Sequence, residues 1–113
     1  PDRKVLALQA DGSGLYTPQA LWTQARENLD VTTVVFANQG YVSLKEELFK
    51  VGANPGRTAL DMLEVDHPIV DWVSLARGFG VPGERVEDAG GLARALARGL
   101  AAPGPYLIEA ATV

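Results

Sequence analysis

Val5-Leu6-Ala7-Leu8-Gln9-Ala10-Asp11-Gly12-Ser13 and Val31-Thr32-Thr33-Val34-Val35-Phe36-Ala37-Asn38-Gln39-Gly40-Tyr41 repeat one pattern. In each, an apolar run ends on an oxygen-bearing side chain and a glycine. The first run reads as a continuous apolar strand buried on both faces. The second is β-branched and reads as another buried strand. Between them, Thr17-Pro18 is a helix start, with a capping residue followed by proline at the first helical position. Leu21, Ala25 and Leu29 then recur every four residues, with Trp22 beside the stripe, and the helix should end near Asn28. Strand, helix and strand within this length predict a βαβ unit with a right-handed crossover and a parallel pair.

That pairing places Asp11 and Asn38 at the carboxyl ends of adjacent strands, the edge where open α/β sheets bind ligands. A hard cation such as Mg²⁺ takes oxygen ligands, often one or two carboxylates plus the phosphates of a cofactor. Asp11 offers a carboxylate, Asn38 an amide oxygen and Gly40 a backbone carbonyl. The two segments therefore read as a split site for a metal ion and a diphosphate.

The rest of the chain continues the alternation. A helix is predicted over residues 43–50, and residues 51–68, with the turn Asn54-Pro55-Gly56, read as loop. Asp71 can cap a helix whose apolar positions Trp72, Leu75, Ala76 and Phe79 follow the helical period, with Gly78 and Gly80 ending it. A short strand fits within residues 81–86. Ala89, Leu92, Ala93, Leu96 and Leu100 form a helical stripe with Arg94 and Arg98 turned outward. Gly104-Pro105 breaks the chain before a last strand over residues 106–113. The expected fold is α/β, a parallel sheet with strands near residues 5–9, 32–36 and 106–110 and helices packed on both faces.

A chain of 113 residues is one domain's worth, able to bury roughly two-thirds of its unfolded surface. No segment approaches the roughly 20 apolar residues of a membrane span. The absence of cysteine excludes disulfides, thiolate metal sites and cysteine nucleophiles, and points to a reducing, cytoplasmic setting. Net charge is −4 and no lysine or arginine lies between Lys4 and Arg26, so the basic stripe of a nucleic-acid binder is missing. A diphosphate on so acidic a chain must be met by backbone N–H groups, a helix N-terminus and a metal. No signal peptide is visible, and the first residue is Pro1 rather than an initiator Met, from which residues 1–113 are expected to be a piece of a longer protein.

With these residues in view, the chain resembles the thiamin-diphosphate-dependent enzymes. Asp11-Gly12-Ser13, the helix at Leu21-Trp22-Thr23-Gln24-Ala25 and the strand into Asn38, Gly40 and Tyr41 are similar to that family's Gly-Asp-Gly…Asn-Asn motif. The segment from Asp71-Trp72 to Gly80-Val81 and the closing Gly104-Pro105-Tyr106-Leu107-Ile108-Glu109 extend the likeness over nearly the whole chain. The nearest likeness is to the C-terminal diphosphate-binding domain of acetolactate synthases and benzoylformate decarboxylase. Ala10 and Ala37 stand where the family pattern has its first Gly and first Asn.

The resemblance implies that Asp11 and Asn38 ligate Mg²⁺ through their side chains and Gly40 through its carbonyl. Gly12 and Ser13 would give N–H groups to the diphosphate, Ala10 would meet the aminopyrimidine through its backbone, Tyr41 would join Asn38 and Gly40 in binding the cofactor, and Tyr41, Ser43 and Leu44 would border the substrate. It implies a 2-oxo acid decarboxylase or carboligase whose activating glutamate sits in a pyrimidine-binding domain of a partner subunit. The assembly would be a homodimer or homotetramer. No catalytic residue is assigned within this chain, and the isolated segment should not turn over substrate.

Other residues read plainly. His67, the one histidine, precedes Pro68 in a loop and is expected in solvent. Trp22 and Trp72 belong to core or interface, and Glu46 and Glu47 to a solvated helix face. Ser13 has no histidine partner for a hydrolase triad. Two alternatives remain open. One is a non-catalytic nucleotide- or phosphate-binding module with a flavodoxin-like sheet. The other is a degenerate family member that keeps the fold without the chemistry, suggested by Ala10 and Ala37.

Overall fold

The computed structural model of the protein describes residues 3–112. One four-stranded sheet runs in the order β1-β2-β4-β3, every neighbouring pair parallel. Its strands are β1 (Val5–Ala10), β2 (Val31–Ala37), β3 (Gly83–Val86) and β4 (Tyr106–Ala111). The helices are α1 (Asp11–Gly14), α2 (Ala20–Arg26), α3 (Val42–Lys50), α4 (Arg57–Asp61), α5 (Trp72–Gly78) and α6 (Ala89–Ala101).

Strand alternation sorts the core into two layers. On one face Val35, Ala37 and Leu107 meet Leu21 of α2 and Trp72 and Ala76 of α5. On the other, Val34, Ile108 and Ala110 meet Ala95, Leu92 and Leu96 of α6. Each Val, Leu or Ile side chain fully buried there contributes roughly 1.5–3 kcal/mol of transfer free energy. The expected α/β fold with helices on both faces is what forms; β1, β2 and β4 each end one residue beyond the expected 9, 36 and 110, while the last strand stops at Ala111, short of the longer span 106–113. The ladders continue through Ala10 opposite Phe36 and Ala37 opposite Ala111. Val113, the expected end of that span, lies outside the described residues.

Several local expectations are corrected. Strand β1 is not buried on both faces: Val5, Leu6 and Leu8 are exposed. It is the sheet edge, and α6 packs over β2, β3 and β4 instead. Helix α2 is shorter than its stripe suggested. Thr17 and Pro18 form an opening turn through Ala20 N–H to Thr17 O and Leu21 N–H to Pro18 O, and no side chain caps it. Leu29 falls beyond its end and is exposed. In α6 the stripe is rotated: Ala95 and Gly99 are buried, while Ala89, Ala93 and Leu100 face outward. Small residues win the closest approach, because a Cβ on Gly99 would lie 2.9 Å from Tyr106 Cδ1. Residues 51–68 are not all loop. They hold α4, and residues 63–65 return to pair with the turn after β2.

Helix α5 begins as expected, with Asp71 accepting from Ser74 N–H at 2.8 Å. It ends at Gly78, and Gly80 at φ +87° turns the chain away. Trp72 is core, whereas Trp22 is half exposed beneath the Arg26 guanidinium.

Candidate functional site

The parallel pairing of β1 with β2 delivers Asp11 and Asn38 to the same sheet edge. Asp11 is 3 % exposed, an acid buried in the one-turn helix α1. One of its oxygens, Oδ1, accepts the Gly12 N–H at 2.8 Å, and Oδ2 accepts the Gln39 N–H at 2.6 Å. The second bond ties the two motif segments together. It requires Gln39 at φ +62°, a left-handed conformation that costs a residue with a Cβ roughly 1–2 kcal/mol. The Gln39 carbonyl accepts from Val65 N–H and Tyr41 N–H donates to Leu63 O, so the returning segment braces this turn. Neither the role of Gln39 nor its brace was legible in the sequence; Asn-Gln-Gly signals a turn but not which residue takes positive φ.

Asn38 is half-buried, and its Oδ1 accepts the Gly40 N–H at 3.2 Å. Among the described residues the Gly40 carbonyl accepts no backbone hydrogen bond. Tyr41 is packed over Gly12: a Cβ there would lie 2.5 Å from Tyr41 Cε1, and the phenol donates to Gly12 O at 3.3 Å. Gly12 is therefore needed for an aromatic contact, a reason the motif alone did not reveal. Ser13 Oγ donates to Gln9 Oε1 at 2.6 Å. Ala10 has φ −92° and ψ 155°, ordinary extended backbone, so no strain follows from its methyl. The Ala37 methyl packs in the core. Ser43 and Leu44 are exposed on the first turn of α3. His67 is exposed, 2.6 Å from Asp66, as expected of a solvated side chain.

Beside Asp11 lies a small cleft with room for about one water molecule, lined by Asp11, Gln39, Val70, Trp72, Arg85 and Glu109. Glu109 is 2 % exposed, and its Oε1 lies 3.3 Å from Arg85 Nη1. Burial pushes the Glu109 carboxyl above the usual range; Arg85 opposes this and Asp71 adds to it.

The donor set here is oxygen only: one carboxylate, one amide oxygen and backbone carbonyls. Among the described residues no three His, Cys, Asp or Glu side chains gather to cage an ion. Such a set fits Mg²⁺, which keeps waters and takes substrate phosphates rather than filling its shell from protein. No helix among the described residues is long and apolar enough to cross a membrane.

Comparison with known proteins points to one family. Residues 1–110 match the family model of the thiamine pyrophosphate enzyme C-terminal, thiamine pyrophosphate-binding domain. IlvX of Mycobacterium tuberculosis, an acetolactate synthase large subunit by name, is 51 % identical over 96 % of this chain and 22 % of its own length. Benzoylformate decarboxylase of Pseudomonas aeruginosa is 32 % identical over 99 % of this chain and 20 % of its own. The solved thiamine diphosphate-dependent 4-hydroxybenzoylformate decarboxylase of Rhodococcus jostii superposes with TM-score 0.80 at 37 % identity, over 96 % of this chain and 20 % of that one. The chain thus spans about a fifth of the length of these relatives.

Proposed function

Because the chain belongs to the family of thiamine pyrophosphate-binding C-terminal domains, we propose that residues 1–113 are the diphosphate- and Mg²⁺-holding part of a larger 2-oxo acid decarboxylase or carboligase. One observation carries this reading. Asp11, buried at the end of β1, accepts the Gln39 N–H from the end of β2 at 2.6 Å, so both halves of the motif meet on one carboxylate. In this proposal Asp11 and Asn38 hold the metal through side-chain oxygens and Gly40 through its carbonyl. Gly12 and Ser13 present N–H groups to the diphosphate, and Ala10 offers its backbone to the aminopyrimidine. Tyr41 borders the substrate and, through Gly12, keeps the first motif segment in place. Ser43 and Leu44, exposed on α3, are free to line a pocket completed from outside this chain.

When bound, the cofactor supplies the electron sink for decarboxylation of a 2-oxo acid. In this reading the residues of this chain bind, orient and exclude water, and none of them is assigned the activating proton transfer. We therefore place the activating glutamate in a pyrimidine-binding domain of a partner subunit, in a homodimer or homotetramer with the Asp11–Asn38 edge facing the partner. A cytoplasmic setting is proposed from the absence of cysteine. Sedimentation of the whole protein with cofactor and Mg²⁺ checks the assembly; a monomer with full decarboxylase activity would refute it.

Calorimetric titration of thiamin diphosphate into the whole protein, with Mg²⁺ and then with chelator, tests the site. Binding that requires the divalent ion is expected. Metal-independent binding, or equal binding of a flavin nucleotide, would favour a phosphate-binding module instead.

A further inference from the structure

Glu109 sits where an apolar residue belongs. Its register partners on the same face are Val35 in β2 and Arg85 in β3, and its face of the sheet is otherwise the core layer of Val35, Ala37, Leu107 and Trp72. Burying a carboxylate there is costly unless it is paired. The partner present is Arg85, whose side chain is 46 % exposed. The backbone N–H groups of Trp72 and Val73, in the first turn of α5, also face the carboxylate and favour its charged form. Even so, burial dominates and raises its pKa. A raised carboxyl pKa means that ionised Glu109 subtracts from stability once pH rises above the unfolded value.

Its surroundings lead to the candidate cation site. Glu109, Arg85 and Trp72 line the same small cleft as Asp11 and Gln39. Trp72 backs the α1 turn directly: a Cβ on Gly14 would lie 2.8 Å from Trp72 Cη2. Arg85 thus pairs with Glu109, Glu109 shares its cleft with Trp72 at the start of α5, and the Trp72 ring packs against the turn that carries Asp11.

We propose that Glu109, held by Arg85, is a positioning residue for the metal–diphosphate site, its charge anchoring the start of α5 so that Trp72 fixes the Asp11–Gly14 turn. The inference rests on the functional reading above. It assigns to the sheet's one buried acid a role in cofactor affinity rather than in stability.

The test uses the whole protein and measures thiamin diphosphate affinity at saturating Mg²⁺ and the Mg²⁺ concentration for half-saturation. Glu109→Gln keeps the shape and removes the charge. It should melt no lower than wild type, yet bind the cofactor about tenfold more weakly. Arg85→Met should weaken binding in the same direction, and Arg85→Lys should restore it. A folded Glu109→Gln that binds within about twofold of wild type overturns the proposal. So does an Arg85→Lys as weak as Arg85→Met, which would show that shape rather than charge matters. Should Glu109→Gln fail to fold, the two Arg85 variants decide alone. Wild-type protein without Mg²⁺-dependent binding would instead bring down the site reading itself, and this inference with it.

Discussion

Replacing Asp11 by Asn separates the two tasks the structure gives this side chain. In the folded protein its two oxygens accept two backbone N–H groups, from Gly12 at 2.8 Å and Gln39 at 2.6 Å. An amide has one acceptor oxygen, so one of these donors must face an NH₂ group. A hydrogen bond to a charged group is worth about 1.5–3 kcal/mol, and leaving a buried donor unpaired costs about 1–3 kcal/mol. Asp11→Asn should therefore destabilise the cofactor-free protein by about 2–3 kcal/mol. With the metal site assigned to Asp11, loss of the negative charge should also weaken Mg²⁺-dependent cofactor binding by more than about tenfold, or 1.4 kcal/mol. Thermal melting of the cofactor-free protein reads the first effect. Calorimetric titration with thiamin diphosphate and Mg²⁺ reads the second. A lower melting temperature with unchanged affinity would leave Asp11 as the clasp between β1 and β2 and remove it from the metal. No change in either would refute the hydrogen-bond geometry as well.

Three further outcomes follow from the packing. Gly12→Ala drives a methyl into the Tyr41 ring and should cost about 1–3 kcal/mol, a loss that Gly12→Ala combined with Tyr41→Ala does not add to; additive melting shifts would contradict the contact. Gly99→Ala should destabilise despite alanine's better helix propensity, because its Cβ would lie 2.9 Å from Tyr106 and 3.0 Å from Thr32 Cγ2; a more stable variant in denaturant titration would show that the α6–β4 contact can give. Asp71 is held below its ordinary 3.8 by the Ser74 N–H and hydroxyl, so its contribution is present above that value and fades as pH falls through the lower folded one. Asp71→Ala should therefore shrink the acid-induced loss of stability below about pH 4, as melting curves across that range would show.

Much of the architecture was legible because its signals were strong. The β-branched run of β2 and the Asp71 cap each correspond to an observed element. The parallel pairing that joins Asp11 to the Asn38 turn followed from strand, helix and strand in succession. What sequence could not supply was position in the sheet. Val5, Leu6 and Leu8 read as interior because they are apolar, yet nothing local distinguishes an edge strand from a central one. Helix α4, five residues with none buried, is too short to show a period. The rotated stripe of α6 was hidden because Gly99 is chosen for closeness, not for hydrophobicity. Of the residues in the proposed site, Asp11, Asn38, Gly40, Gly12 and Tyr41 were candidates from the sequence, while Gln39, Trp72, Arg85 and Glu109 were not. Their roles depend on a backbone angle and on contacts between segments distant in sequence. A glutamate set between Ile108 and Ala110 in an apolar strand was the one available hint.

The central claim, that Asp11 and Asn38 hold a cation between two strand ends, is tested most directly by locating the ion. Crystals of the whole protein grown with thiamin diphosphate and Mn²⁺ in place of Mg²⁺ give an anomalous signal at the metal. The account predicts one peak within about 2.0–2.3 Å of an Asp11 carboxylate oxygen, of Asn38 Oδ1 and of the Gly40 carbonyl oxygen, with diphosphate oxygens and water filling the rest of the shell. A bound cofactor whose metal lies elsewhere, or whose diphosphate is held with no metal at Asp11, would contradict it.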